Sequence, residues 1–166
     1  EEAIGFCPDP AHVRDKDGIA TSVVAASLVA ALKAQGRSVW DELERLARLH
    51  GLHVSSPLTF RVEQIEQIAS GMVRLRAQPP SVLAGSPVVE VSDLSQGYRG
   101  LPPTDGVLVL TEAGDRVIAR PSGTEPKLKC YLEVILPVAE GERLPWEQAR
   151  ERLDAIKAAF AEIIGM

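Results

Sequence analysis

The residues with the clearest chemical potential form one short run between positions 120 and 127, which reads Arg-Pro-Ser-Gly-Thr-Glu-Pro-Lys. The guanidinium of Arg120 offers a planar fork of donors that fits a phosphate or carboxylate edge. Ser122 and Thr124 add hydroxyl donors, and Gly123 lets the backbone approach a ligand closely. Lys127 adds positive charge at one rim. These residue types predict an anion-binding loop, but an ordinary turn uses the same residues and stays open as an interpretation.

Two segments with the pattern of β-strands, Arg116–Arg120 and Lys127–Ile135, flank this run. In the second segment apolar residues alternate with polar ones, which predicts a strand with one buried face. The same alternation places Lys129 on one face with Lys127. The run is therefore predicted to be the connection of a β-hairpin.

Further elements precede and follow the hairpin. The patterns predict three more strands and two helices, namely strands Leu58–Val62, Val88–Val91 and Val107–Thr111, helix Glu63–Ala77 and a helix that starts at Pro145. The helix faces predicted to be buried comprise Ile65, Ile68, Met72 and Leu75, and Trp146, Ala149, Leu153, Ile156, Phe160 and Ile163. These elements predict an α+β fold, in which an antiparallel four- to five-stranded sheet is covered by two helices.

The N-terminal part of the chain has a different pattern, which indicates two helices. The first, Ile19–Gln35, has Asp17 as its predicted N-cap and Gly36 just after its end. It is apolar on almost every side, so we expect it to be buried by partners outside this sequence, as in the last helices of an α/β domain. The predicted domains are residues 1–55 and residues 56–166. The predicted hinge between them is His53–Leu58.

Composition and charge exclude several classes of protein. The 166 residues, 45% of them hydrophobic and 25% charged, suit one ordinary domain or two small ones. The net charge of −5 argues against a general binder of nucleic acid or anionic membranes. Cys7 and Cys130 lie far apart without a C-x-x-C motif, so we expect a reduced, cytoplasmic protein. The histidines lack ligand spacing and no apolar run reaches the length of a membrane span, so we predict neither a metal site nor a membrane segment.

The run at 120–127 resembles the phosphate-binding loop in the C-terminal domain of the α-D-phosphohexomutases, the phosphoglucomutase/phosphomannomutase superfamily. The family pattern is close to R-x-S-G-T-E-P-K and is followed by an apolar strand, as in this sequence. Two more stretches occur in the family's order. Glu1-Glu2-Ala3-Ile4-Gly5 is similar to the sugar-recognition loop of the third domain, and Asp15-Lys16-Asp17-Gly18 is similar to a segment whose lysine reaches the catalytic centre.

The resemblance implies roles for individual residues. Glu1 would bind sugar hydroxyls, and Lys16 would be catalytic. The residues that would bind the substrate phosphate are Arg120, Ser122, Gly123, Thr124 and Lys127. Many family members carry a serine where this chain has Ala3, and this departure leaves the identity of the sugar open. The form of this loop resembles the branch of phosphopentomutase/phosphoglucomutase and bacterial phosphomannomutases.

The resemblance also implies a function. It makes residues 1–55 the end of the third domain and residues 56–166 the fourth domain of an isomerase that moves a phosphoryl group between C1 and C6 of a hexose. In that family the reaction uses a phosphoserine, a bisphosphorylated sugar and Mg²⁺, and a glucose 1,6-bisphosphate-type activator is also implied. This sequence contains neither the phosphoserine loop nor the aspartate-rich metal loop.

The expected partners are therefore a phosphosugar, the remaining domains of the same chain and, through exposed helix faces, a second copy. Alone, these residues should bind phosphate weakly and catalyse nothing. Two alternatives stay open, namely a phosphopentomutase and a non-catalytic interaction module. The upstream sequence would distinguish the module from the enzyme.

Overall fold

The computed structural model describes residues 5–123 and 125–165, and these residues form two compact units. The first unit contains the described residues up to His50, and the second contains those from Gly51 onward. Glu1 and Thr124, two of the residues with implied roles, lie outside the described residues.

The first unit is built from two helices, α1 (Gly18–Ala34) and α2 (Val39–His50). The side chain of Asp17 accepts hydrogen bonds from the backbone N–H groups of Ile19 and Ala20, which confirms Asp17 as the N-cap of α1. Gly36 follows the end of α1 with φ of +69°, a conformation that favours glycine. At the start of α2, Ser38 and Asp41 exchange hydrogen bonds between side chains and backbone, as in a capping box.

Most of the apolar surface of α1 is exposed within this unit. Of the described residues of the first unit, Leu32 and Ala47 are the two that are buried. The large apolar side chains that α1 exposes are Ile19, Val23, Val24, Leu28 and Val29. No single described helix is long and apolar enough to cross a membrane, and although α1 and α2 together pass a test of length and composition, they are bent by 91° at the break between them.

The second unit is one antiparallel sheet with two helices. The sheet has six strands in the order β1-β6-β5-β4-β3-β2, compared with the four to five that the sequence predicted. The strands are β1 (Leu52–Arg61), β2 (Val82–Leu83), β3 (Ser86–Asp93), β4 (Val107–Thr111), β5 (Arg116–Pro121) and β6 (Lys127–Leu136). The helices are α3 (Ile65–Ala77) and α4 (Trp146–Ile164), and a 3₁₀ turn lies at Leu94–Gln96. The α+β class is confirmed.

The prediction of a hinge at His53–Leu58 is wrong, because this segment lies inside β1. The strand pairs with β6 over its full length, from Leu52 opposite Leu136 to Arg61 opposite Lys127. The prediction treated Pro57 as the end of a segment. In the structure β1 is an edge strand of the sheet, where a residue without an N–H donor is tolerated.

The hydrophobic core lies between one face of the sheet and helices α3 and α4. The predicted alternation in β6 is confirmed, since its even-numbered residues from Leu128 to Leu136 are buried. Two predicted core residues are exposed instead: the exposed fraction is 60% for Ile65 and 43% for Trp146. Each is the first residue of its helix. Helical periodicity identifies the face of a helix that packs but not the turn at which packing begins.

A buried carboxylate joins α4 to the turn between β4 and β5. Asp115 is fully buried and accepts two hydrogen bonds from the guanidinium of Arg152, at 2.8 and 2.7 Å. The hydroxyl of Thr111 lies 2.9 Å from the same carboxylate, and the backbone N–H of Asp115 donates to that hydroxyl at 3.0 Å. The buried charge is therefore paired and hydrogen-bonded, as burial of a carboxylate requires.

Candidate functional site

The candidate loop, residues 120–127, is a short connection that is closed by hydrogen bonds between its own backbone groups. The N–H of Ser122 donates to the carbonyl of Lys127 at 2.9 Å, and the N–H of Lys127 donates to the carbonyl of Glu125 at 2.7 Å. A further bond, from the N–H of Val62 to the carbonyl of Pro126 at 3.1 Å, attaches the loop to the residue that follows β1. The loop is thus held by all three neighbouring strands, β5, β6 and β1.

Strand register brings four basic residues to one face of the sheet beside this loop. Lys127 lies opposite Arg61 of β1, and Lys129 lies opposite Arg120 of β5. Residues two apart on a strand share a face and directly paired residues share it too, so all four side chains lie on the same side. The opposite face of β6 carries the buried Leu128 and packs against the helices. We refer to Arg61, Arg120, Lys127 and Lys129 as the basic face.

One carboxylate lies within this basic face. Glu125 Oε1 is 2.6 Å from the Nζ of Lys127, and Glu125 Oε2 is 3.4 Å from an Nη atom of Arg61. The hydrogen bond from Lys127 is the main cause that lowers the pKa of Glu125 below its ordinary value, and the charge of Arg61 adds to it. Glu125 therefore carries its negative charge at neutral pH and neutralises part of the positive charge beside the loop.

The remaining predicted residues of the loop are accessible. Arg120 and Gly123 are exposed, and Ser122 is partly exposed. Neither Arg120 nor Lys129 makes an ion pair with another residue in the ranges 5–123 and 125–165. The basic face thus has unpaired donors next to an accessible glycine backbone, an arrangement that can bind an anion.

Sequence reasoning missed Arg61 as a neighbour of the loop. The signal was an arginine at the end of a segment with strand character, but the pairing of that segment with β6 could not be derived from spacing. The sequence did suggest the common face of Lys127 and Lys129, because that relation is local to one strand.

Lys16 belongs to the first unit and is exposed there. Its side chain lies against Gly5, since a Cβ atom added at Gly5 would be only 2.0 Å from Cγ of Lys16. The backbone N–H of Asp17 donates to the carbonyl of Phe6 at 2.9 Å. The end of the first family-like stretch and the second stretch are therefore packed together, and a side chain at position 5 would displace the lysine.

Among the described residues, the cysteines and the acidic side chains form no second candidate site. Burial raises the pKa of Cys130 to about 12, which agrees with a packing role in β6, and Cys7 is a free, exposed thiol. The described residues include no group of three or more His, Cys, Asp or Glu side chains that could hold a metal ion.

The fold and the loop together define a domain that presents a basic, glycine-containing hairpin connection on an antiparallel sheet. Residues 59–163 match the profile of the family described as "Phosphoglucomutase/phosphomannomutase, C-terminal domain". The matched segment contains the whole basic face. The chain belongs to this family.

Individual relatives agree with this assignment. A probable phosphomannomutase of Haemophilus influenzae is 41% identical over 133 residues, which cover 80% of this chain and 27% of the relative. A phosphoglucomutase of Staphylococcus aureus is 31% identical over 151 residues, with coverage of 82% and 27%. The chain therefore spans about a quarter of the length of these curated relatives. Their names do not favour the phosphopentomutase alternative.

A solved structure agrees at the level of the fold. The exocytosis-sensitive phosphoprotein pp63/parafusin of Paramecium, a phosphoglucomutase, matches with a TM-score of 0.60 and 17% sequence identity. The match covers 94% of this chain and 29% of that protein. This likeness supports the α+β architecture described above.

Proposed function

We propose that this chain is the phosphate-binding part of a phosphohexomutase, an isomerase that interconverts hexose 1-phosphates and hexose 6-phosphates. The observation that carries the proposal is the basic face around the 120–127 loop, which lies in the segment that matches the family's C-terminal domain. The names of the relatives support glucose and mannose phosphates as the substrates. They also favour the enzyme over the interaction module.

In this proposal the chain holds the phosphate that does not react. Arg120 donates a pair of hydrogen bonds to it, the hydroxyls of Ser122 and Thr124 and the backbone at Gly123 enclose it, and Lys127 adds charge. Each hydrogen bond to a charged group contributes about 1.5–3 kcal/mol. Binding energy at this remote end orients the sugar at the reacting end, where it lowers the barrier to phosphoryl transfer.

The N-terminal part of the chain contributes the other two residues of the proposal. Lys16, which lies against Gly5, would reach the reacting phosphate, and Glu1 would bind the sugar hydroxyls. In this proposal the part of the chain up to His50 is the end of the third domain of the longer protein, and β1 belongs to the fourth domain. The positive charge of Lys16 would stabilise the negative charge that develops during phosphoryl transfer.

The nucleophile and the metal belong, in this proposal, to other parts of the longer protein. Among residues 5–123 and 125–165 no cluster of side chains could hold Mg²⁺, so the metal would be bound by residues outside this chain. Bound there, Mg²⁺ would neutralise charge on the transferring phosphoryl group. A bisphosphorylated hexose as activator and a cytoplasmic location, which the free thiols support, complete the proposal.

The test is a titration of the ¹⁵N-labelled chain with glucose 1-phosphate and mannose 1-phosphate. We expect saturable amide shifts confined to the loop and the basic face, with loss of these shifts in Arg120→Ala. The matched control is Arg116→Ala, which removes the same charge from the same strand at a position where the arginine pairs with Glu133 at 2.8 Å.

The outcomes separate the proposal from an ordinary turn. Retained affinity in Arg120→Ala, or equal losses in both variants, would contradict a phosphate grip at this loop. Arg120→Ala in the full-length protein provides the second measurement, and there kcat/KM for hexose 1-phosphate should fall at least tenfold. Unchanged turnover would reject the proposed function.

A further inference from the structure

Arg61 lies beside the candidate loop but belongs to a different strand from all the residues that the sequence motif contains. It is the last residue of β1 and lies opposite Lys127. Its contact with Glu125 is 3.4 Å long, and 74% of its side chain is exposed. An exposed ion pair of this kind contributes little to stability. Within the part of the chain that the structure describes, this contact uses one guanidinium nitrogen and leaves most of the five N–H donors unused.

The carboxylate of Glu125 shows where these donors reach. It is bound by Lys127 of β6 and by Arg61 of β1, so cations from two strands converge on one anionic group at the rim of the loop. The basic face has four cationic side chains and this one carboxylate, on a chain whose net charge is −5. Positive charge is thus concentrated at this place against the overall charge of the protein.

The distances across the sheet allow Arg61 and Arg120 to reach the same ligand. Their strands are separated by β6, which places them about 10 Å apart across the sheet at the usual strand spacing. Their partners on β6, Lys127 and Lys129, are offset by two residues, or about 7 Å along the strand. The two Cα atoms are therefore about 12 Å apart, and two arginine side chains can converge from that separation on one phosphate.

We infer that Arg61 is a further phosphate-binding residue, which donates from β1 to the phosphate held by the loop, on the side opposite Arg120. Glu125 positions the guanidinium at the rim by holding one of its nitrogens, and the remaining donors bind the ligand. This inference rests on the proposed phosphate-binding function. It adds a residue from outside the loop motif to that site.

The experiment measures the affinity of the purified chain for inorganic phosphate by amide shifts at pH 8 and about 0.15 M ionic strength. The variants are Arg61→Ala, Arg61→Lys, Arg120→Ala and the control Arg116→Ala. Arg116 is four residues from Arg120, or about 13 Å along the strand, which exceeds the Debye length of about 8 Å at this ionic strength. Replacement of Arg116 therefore measures the effect of losing one positive charge that lies too far from the loop to contact the ligand. Urea unfolding midpoints verify that each variant is folded.

We expect Arg61→Ala to weaken binding roughly tenfold, the factor that corresponds to about 1.4 kcal/mol. Arg61→Lys should recover part of the loss, because the ammonium keeps the charge but not the planar fork. Arg116→Ala should remain within twofold of the unchanged protein. The partial recovery by lysine is a result that a purely structural role of Arg61 would not produce.

Three results would overturn the inference. Wild-type affinity in Arg61→Ala together with a loss in Arg120→Ala would exclude Arg61 and leave the proposed function intact. Equal losses in Arg61→Ala and Arg116→Ala would show only a general effect of charge. The absence of any saturable shift in the unchanged protein would reject both the proposed function and the role of Arg61.

Discussion

Replacement of Arg152 by alanine tests the main polar contact between α4 and the sheet. The change removes two charge-assisted hydrogen bonds to Asp115, whose side chain has no solvent exposure. The hydroxyl of Thr111 remains as its side-chain donor. The carboxylate is then left buried without a counter-ion, and a buried charge without its partner is costly because water cannot replace the lost contacts.

The size of the effect follows from the burial of the pair. Loss of one partner of a buried ion pair typically costs about 3–5 kcal/mol. The side chain of Arg152 is 24% exposed, so water reaches part of the site and the lower value, about 3 kcal/mol, applies. Single domains have free energies of unfolding of about 5–15 kcal/mol, so this loss is a large part of the total.

Urea unfolding followed by circular dichroism measures the change directly. With an m-value of about 1–3 kcal/mol/M, the midpoint should fall by about 1–3 M. The matched control is Lys157→Ala on the same helix, which breaks an exposed pair with Asp154 at 3.1 Å and should cost no more than about 0.5 kcal/mol. Combining Asp115→Asn with Arg152→Ala removes the unpaired charge, so the double variant should lose less than the sum of the single losses.

A loss below about 1 kcal/mol in Arg152→Ala would refute the reasoning. Additive losses in the double variant would refute it as well, because they would show that the two side chains do not depend on each other.

Two further predictions concern side chains whose ionisation the structure alters. Ellman's reagent should react with one thiol in the folded protein, that of the exposed Cys7, because burial raises the pKa of Cys130 to about 12; rapid reaction of two thiols without denaturant would contradict this. The hydrogen bond from Arg45, with a contribution from Arg37, lowers the pKa of Glu42 to about 2, so its carboxyl carbon should titrate near pH 2 by NMR and move toward 4.5 in Arg45→Ala. Because the folded pKa is depressed, this stabilisation of α2 is complete above about pH 4.5 and is lost as the pH falls toward 2, and a midpoint near 4.5 in the unchanged protein would contradict it.

Features that depend on neighbouring residues were predictable from the sequence. The alternation in β6, the cap at Asp17 and the turn residues of the hairpin arise from relations within a few positions. The residues of the candidate loop are contiguous, so their chemistry was visible before any fold was known. Their assignment to a phosphate site remains a prediction.

Features that depend on distant pairing were not predictable. Arg61 approaches Glu125 across 64 residues of sequence, and Arg152 reaches Asp115 across 37. The full length of β1 was missed for the same reason, since its partner β6 follows four other strands in the chain. A proline that is compatible with an edge strand was therefore interpreted as a boundary.

The pairing of β1 with β6 also has a consequence for how the protein is made. Strands β3 to β6 each lie next to the preceding strand of the chain in the sheet, so each can pair as soon as it leaves the ribosome. The first strand must wait for the last. Phe60 pairs with Leu128, and at about 5–20 residues per second the delay between their synthesis is roughly 3–14 s.

During that interval β1 is a strand without a partner, and the apolar residues on its inner side are open to the chaperones and proteases of the cell. Its alternating polar residues and Pro57 limit association with other strands meanwhile. The cations of β1 and β5 come together only when β6 inserts between them. A nascent chain interrupted before Lys127 would therefore lack the basic face, and its competence to bind an anion would report that synthesis has reached β6.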